Sequence, residues 1–157
     1  MKSYHGSEKT GHANSRKIIV LDASVVAKWI LPGEPWESQA LELKNKLTKG
    51  EIDVHEPSLL AHELANLLLR AVDKGRISLN DAISALKILG KLGLKLHEIN
   101  LDRASELMKN AKILNLTAYD VAYVLLAKEL RALLISADEE LCTKAKRIVA
   151  TKHLKEV

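Results

Sequence analysis

Hydrophobic residues in this chain follow two rhythms: short unbroken runs, and longer stripes at helical spacing. Ile18-Ile19-Val20-Leu21 and Ala132-Leu133-Leu134-Ile135 are unbroken. Such short runs without polar alternation read as strands buried on both faces, as in a parallel sheet. Ile52-Asp53-Val54-His55, ended by Pro57, and the alternating stretch 94–99 predict two more strands, and 152–157 a short edge strand. The first helical stripes cover 23–31, stopped at Pro32-Gly33, then 36–49, closed by Gly50, and 58–74, closed by Gly75. A capping box, Ser78-Leu79-Asn80-Asp81, opens a helix to about 92. Asn100 caps one reaching about 114, Thr117 one running to 130, and Ser136 a last one to about 148. Strands that alternate with one or two helices predict an α/β fold with right-handed crossovers: a three-layer α/β/α arrangement around a central parallel sheet of about five strands.

Residues 1–16 are polar and read as a disordered tail or a cloning remnant, leaving 17–157 as a single domain. His5 and His12 in that tail could bind metal, but a floppy segment explains them as well. The full length of 157 residues suits one domain. Phenylalanine is absent, so the core must be built from Leu, Ile, Val and Ala. Trp29 and Trp36 flank the Pro32-Gly33 break and are expected to pack, with a partner surface as the other reading. No stretch approaches the roughly 20 apolar residues that span a bilayer, and no apolar signal region is present. Cys142 is alone, which excludes a disulfide framework or a thiolate metal cage and points to the cytoplasm. A net charge of +4 mildly favours an anionic partner such as nucleic acid. Gln39 is the one glutamine beside many Lys and Glu, a thermophile-like balance.

Four acids carry the candidate chemistry. Asp22 directly follows the first buried strand, where it either caps the next helix or faces the ligand crevice outside the carboxyl ends of the strands. Glu63 shares a helical face with Leu59, Leu60, Leu64 and Leu67, so it stands in an apolar stripe rather than on a solvated one. Such a glutamate is paired, or sits at the stripe's edge and reaches water. Asp120 stands three residues after Thr117, as a capping box requires, and is also available for a site. Tyr119, Val121 and Tyr123 around it read as packing, with a possible place on the rim. Asp138 follows the last unbroken strand. There Ser136 with Glu139 would form the capping box and leave Asp138 free.

In a doubly wound sheet these positions can meet in one crevice. Two carboxylates about 4 Å apart repel by roughly 4 kcal/mol at an effective dielectric of 20. A whole domain is stable by only about 5–15 kcal/mol. Either some acids are protonated or divalent cations neutralise them, and oxygen ligands select Mg²⁺ or Mn²⁺. His55, His62, His97 and His153 are scattered along the chain and read as structural, which argues against zinc. Carboxylate-held Mg²⁺ commonly serves phosphate chemistry. No Gly-rich phosphate loop is present, which favours phosphodiester hydrolysis over nucleotide-triphosphate chemistry. Lys28, Lys74, Arg76 and Arg131 are candidates for holding a nucleic-acid backbone.

The order and spacing of these residues resemble the PIN-domain nuclease family, and within it the VapC-type toxins. Leu21-Asp22-Ala23-Ser24 looks like the first acidic motif; Glu63 with Asn66, after Pro57-Ser58, looks like the second. Tyr119-Asp120-Val121-Ala122 and Ile135-Ser136-Ala137-Asp138 look like the third and fourth, with Ser136 where Thr is frequent. The likeness runs over about 18–155. It implies a PIN-like fold, Mg²⁺ or Mn²⁺ at Asp22, Glu63, Asp120 and Asp138, and support from Ser136 and Ser24. The implied activity is endonucleolytic cleavage of RNA, with a homodimer and an inhibiting antitoxin as partners. The alternative is a non-catalytic module on the same fold, acting through a partner or dimer surface. An Asp-x-Asp phosphatase is disfavoured because Ser24 stands where its second acid belongs.

Overall fold

The computed structural model describes residues 15–157. The two tail histidines, His5 and His12, lie outside the described residues. Five strands pair in parallel: β1 (Lys17–Leu21), β2 (Ile52–Pro57), β3 (Lys95–His97), β4 (Leu133–Ser136) and β5 (Thr151–His153), in the spatial order β3-β2-β1-β4-β5. The central strand β1 pairs Ile19 with Val54 of β2 and with Leu133 of β4. Its residues Ile19, Val20 and Leu21 are all buried. Neighbouring side chains on a strand point to opposite faces, so both faces of the sheet are covered, as the unbroken run predicted.

Among the described residues seven α-helices supply that cover: α1 (Ala23–Val26), α2 (Glu37–Thr48), α3 (Leu60–Asp73), α4 (Leu79–Leu89), α5 (Ala104–Leu114), α6 (Ala118–Leu130) and α7 (Glu139–Ala145). The result is the three-layer α/β/α architecture. Helix α6 packs against β1, β2 and β4, and every residue from Val121 to Ala127 is buried. A helix apolar all round belongs in the interior, and this one lies between the sheet and α5. Helix α3 buries Leu60, Leu64, Leu68 and Ala71, the stripe beside which Glu63 stands. It closes at Gly75, whose φ of +72° favours glycine.

Several predicted elements are shorter or differently made. The helix expected over 23–31 is one α-turn followed by a 3-10 turn, Ala27–Trp29. The strand expected over 94–99 is Lys95–His97, and a 3-10 turn, Leu101–Arg103, stands where Asn100 was expected to cap a helix. The edge strand is Thr151–His153, after which the chain turns again in 3-10 form at Leu154–Glu156. Trp29 packs as expected, its indole N–H donating to the Ala40 carbonyl at 2.8 Å. Trp36 does not: it is half exposed, in left-handed backbone at the start of α2, with its ring edge-on to His153.

Candidate functional site

Parallel pairing puts the carboxyl ends of all the strands at one edge of the sheet, and the chain leaves β1 there into Asp22. The Asp22 amide donates to the Ile135 carbonyl of β4 at 3.0 Å, which ties this corner to the neighbouring strand. Asp22 occupies the N-cap position of α1, yet its side chain makes no cap bond. Its Oδ2 instead accepts the hydroxyls of Ser24 at 2.8 Å and Ser136 at 2.9 Å. The same two hydroxyls accept backbone N–H groups in turn, Ser24 from Ala137 and Ser136 from Asp138. A buried carboxylate is thus held in one orientation by a small closed network. Burial pushes its pKa up, the two serines draw it back, and Asp138 raises it again.

Asp22 is the hub for the other acids. The Glu63 carboxyl is pushed up to about 7, first by burial and then by Asp22 and Asp120. Asp120 is raised by burial, by Asp22 and by Asp138, against the lowering effect of Thr117. Groups that shift one another electrostatically are near neighbours. Asp22, Glu63 and Asp120 line one open cavity of about 690 Å³, together with His62, Asn66 and Tyr119. Asp120 and Asp138 line an adjoining one of about 340 Å³. Thr117 caps α6 through the Asp120 N–H at 3.1 Å, so the capping box and a place in the site coexist in one residue.

The capping of α7 differs from expectation. Asp138, not Ser136, is the N-cap, accepting the Leu141 N–H on Oδ1 at 3.1 Å. Ser136 is the last residue of β4, too far back to reach the first turn, and its hydroxyl is committed to Asp22 and the Asp138 amide. The histidines are less scattered than their spacing suggests. His55 and His97 meet across β2 and β3 with ring nitrogens 2.7 Å apart, and His62 lines the acidic cavity. Among the described residues no three His, Cys, Asp or Glu side chains close on a common point as a finished metal cage.

One residue beside the site, Glu56, was not singled out in the sequence, and Tyr123, read there as packing, is a second neighbour of the acids. Glu56 is fully buried in β2, and its Oε1 accepts the Leu21 N–H at 3.0 Å. Its Oε2 has no partner, and burial raises its pKa well above the usual range, against the Leu21 bond and with Asp22 and Glu63 adding to the rise. The signal was strand alternation: Ile52, Val54 and Glu56 share the buried face. Tyr123 is buried behind Glu63. Burial and the neighbouring Glu63, Glu56 and Asp22 raise its hydroxyl above the ordinary tyrosine range. The Tyr123 hydroxyl lies against Glu63 and draws its pKa back, although neither it nor Glu63 Oε1 makes a hydrogen bond of standard geometry. The four acids form an all-oxygen donor set, the chemistry that hard divalent cations prefer.

The PIN domain pattern matches residues 19–147, and the chain belongs to the PIN-domain family. It is similar to Ribonuclease VapC3 of Pyrobaculum aerophilum, with 28% identity over 137 residues, covering 83% of this chain and 97% of that one. Among solved structures, PAE2754 from Pyrobaculum aerophilum has a TM-score of 0.63 at 23% identity, covering 90% of this chain and 93% of that one. VapBC2 from Rickettsia felis, bound to a DNA fragment from its promoter, has a TM-score of 0.58 at 19% identity, covering 87% of this chain and 98% of that one. FitAcB from Neisseria gonorrhoeae has a TM-score of 0.59 at 15% identity, covering 88% and 99%. At these identities the structural likenesses establish the fold. Among the described residues no helix is long and apolar enough to cross a membrane.

Proposed function

We propose that the chain is a Mg²⁺- or Mn²⁺-dependent endoribonuclease acting through Asp22, Glu63, Asp120 and Asp138, and the toxin of a toxin–antitoxin pair. The observation that carries this reading is the gathering of Asp22, Glu63 and Asp120 in one cavity, with Asp138 in the adjoining one, around a buried, hydroxyl-fixed Asp22 at the carboxyl edge of a parallel sheet. Family membership and the likeness to a named ribonuclease support it.

The four acids are the residues that would hold the ion; once bound, it supplies charge neutralisation, activation of water and stabilisation of the leaving oxygen. Ser24 and Ser136 keep the Asp22 carboxylate from rotating, so its remaining lone pairs face the crevice. Thr117 fixes the first turn of α6 and with it Asp120. Tyr123 walls off Glu63 from behind and keeps water away from that side. On this reading its partners are an RNA substrate, a cognate antitoxin and a second copy of the chain. Exposed Leu79, Ile83 and Ile88 on α4 are the kind of surface such contacts cover.

Cleavage of defined RNAs by the purified chain with Mg²⁺ or Mn²⁺, set against Asp22→Asn, tests the proposal. Loss of cutting by a factor of about 10² or more in the variant is expected, the scale at which removing one transition-state-stabilising group acts. Equal cutting by the two proteins would sink it. The second reading is a non-catalytic binding module on the same fold, acting through a partner or dimer surface. That reading requires that Mn²⁺ leave the thermal melt unchanged and that no RNA be cut.

A further inference from the structure

A second cavity, of about 250 Å³, opens beside the acidic one, and the two share Ser24, Leu67 and Arg70 in their walls. Its character is opposite. Lys28, Arg70, Lys74 and Arg76 line it, with Glu34 as the lone carboxylate. Helix α3 connects the two: Glu63, Asn66, Arg70 and Lys74 recur at intervals of three and four, so one helical face runs from the acids into the cations. Lys28 is the unusual member. Its side chain is 9% exposed, although a buried lysine ordinarily needs a close counter-charge, and Glu34 stands 4.0 Å away. Arg76 holds that same carboxylate at 2.6 Å. Among the described residues Arg70 has no ion pair. Four cations thus line a cavity with one carboxylate, which two of them, Lys28 and Arg76, share, and the surplus is one that an anion would balance. Arg131 does not belong to this group: it precedes β4, at the amino end of a strand whose carboxyl end carries the site.

We propose that this cavity is a subsite for a phosphate of the RNA strand, adjoining the phosphodiester held at the acids, and that Glu34 occupies it as an internal competitor. The inference rests on the ribonuclease reading above and adds where the strand lies. A nucleic-acid backbone is favoured over an acidic polypeptide because the basic cavity is continuous with the acidic one along α3. A polyanion with one unit at the cation-requiring acids places its next charge in these cations. Glu34 keeps Lys28 and Arg76 poised when the strand is absent and yields them when it arrives.

The test is binding of a labelled single-stranded RNA oligonucleotide, with Mn²⁺, to the full chain carrying Asp22→Asn, so that cleavage does not consume the probe. Adding Arg70→Gln or Arg76→Gln is expected to weaken binding about fivefold or more. Each should also flatten the slope of log affinity against log salt by about 0.7, the value for one phosphate contact on a single strand. Glu34→Gln should tighten binding severalfold, a direction that a damaged fold would not produce. In the cleaving chain, Arg70→Gln should raise KM with kcat little changed. Parent-like binding and salt slope in all three variants would overturn the subsite, as would losses seen for polyglutamate but not for RNA. If the parent cuts RNA while these variants behave as it does, the subsite alone fails; if the parent cuts no RNA, the ribonuclease reading fails first.

Discussion

Asp22 shows how a single side chain is made expensive and then useful. Its burial destabilises the ionised form, and two hydroxyls only partly offset that cost. Its folded-state pKa is raised, so its ionised form costs the fold more as pH rises. Asp22→Asn should therefore abolish cleavage and yet raise the thermal midpoint of the metal-free protein at pH 8, read by a melt in chelator. Glu56 follows the same sign with a different outcome. It is fully buried, and burial raises its pKa well above the ordinary range, so its ionised form costs the fold more as pH rises. Glu56→Gln keeps an acceptor for the Leu21 N–H. It should exceed the parent in stability as pH rises, because the amide has no proton to lose.

The β4–α7 corner is where one short element does two jobs. Asp138 caps α7, and Ser136 holds both Asp22 and the Asp138 amide. Asp138→Asn retains a good cap and should leave stability within a few tenths of a kcal/mol, while Asp138→Ala should cost about 1 kcal/mol. Both should lose metal-dependent cleavage, so comparing denaturant midpoints with rates separates capping from site chemistry. Ser136→Ala should lower cleavage by freeing the Asp22 carboxylate, and Ser136→Thr should restore it because the hydroxyl returns. The corner was only half legible in the chain. A serine three residues before Glu139 fits a capping box, but a box needs the serine to lie outside the strand. Pairing of Ser136 with His153 of β5 keeps it inside the sheet, and the cap passes to Asp138.

On the scale of the whole molecule, the acids set a pH dependence. Glu63 rises from about 4.5 to about 7 on folding, so the metal-free fold loses stability as pH climbs through that window. Asp22 and Asp120 shift in the same direction and reinforce the loss. A bound divalent ion requires the deprotonated acids and should act oppositely. Thermal melts at pH 5 and pH 8 should show Mn²⁺ raising the midpoint far more at pH 8, and chelator should reverse it.

The chain alone dictated the layered parallel sheet, because short unbroken runs of aliphatic residues alternate with helical stripes, and glycines and capping residues marked where helices stop and start. It also placed Asp22 at a strand's carboxyl end and Glu63 in an apolar stripe, since both are matters of local period. Tertiary structure alone decided what depends on contacts between distant segments. Register brought Glu56 under Leu21 and His55 against His97, and Ser136 reached Asp22 across 114 positions. It also separated Lys28, Lys74 and Arg76 from Arg131, which periodicity could not rank, and added Arg70 to them. Hydrophobic pattern is written in neighbours along the chain; the meeting of charges is set by which ends of which strands the pairing brings together.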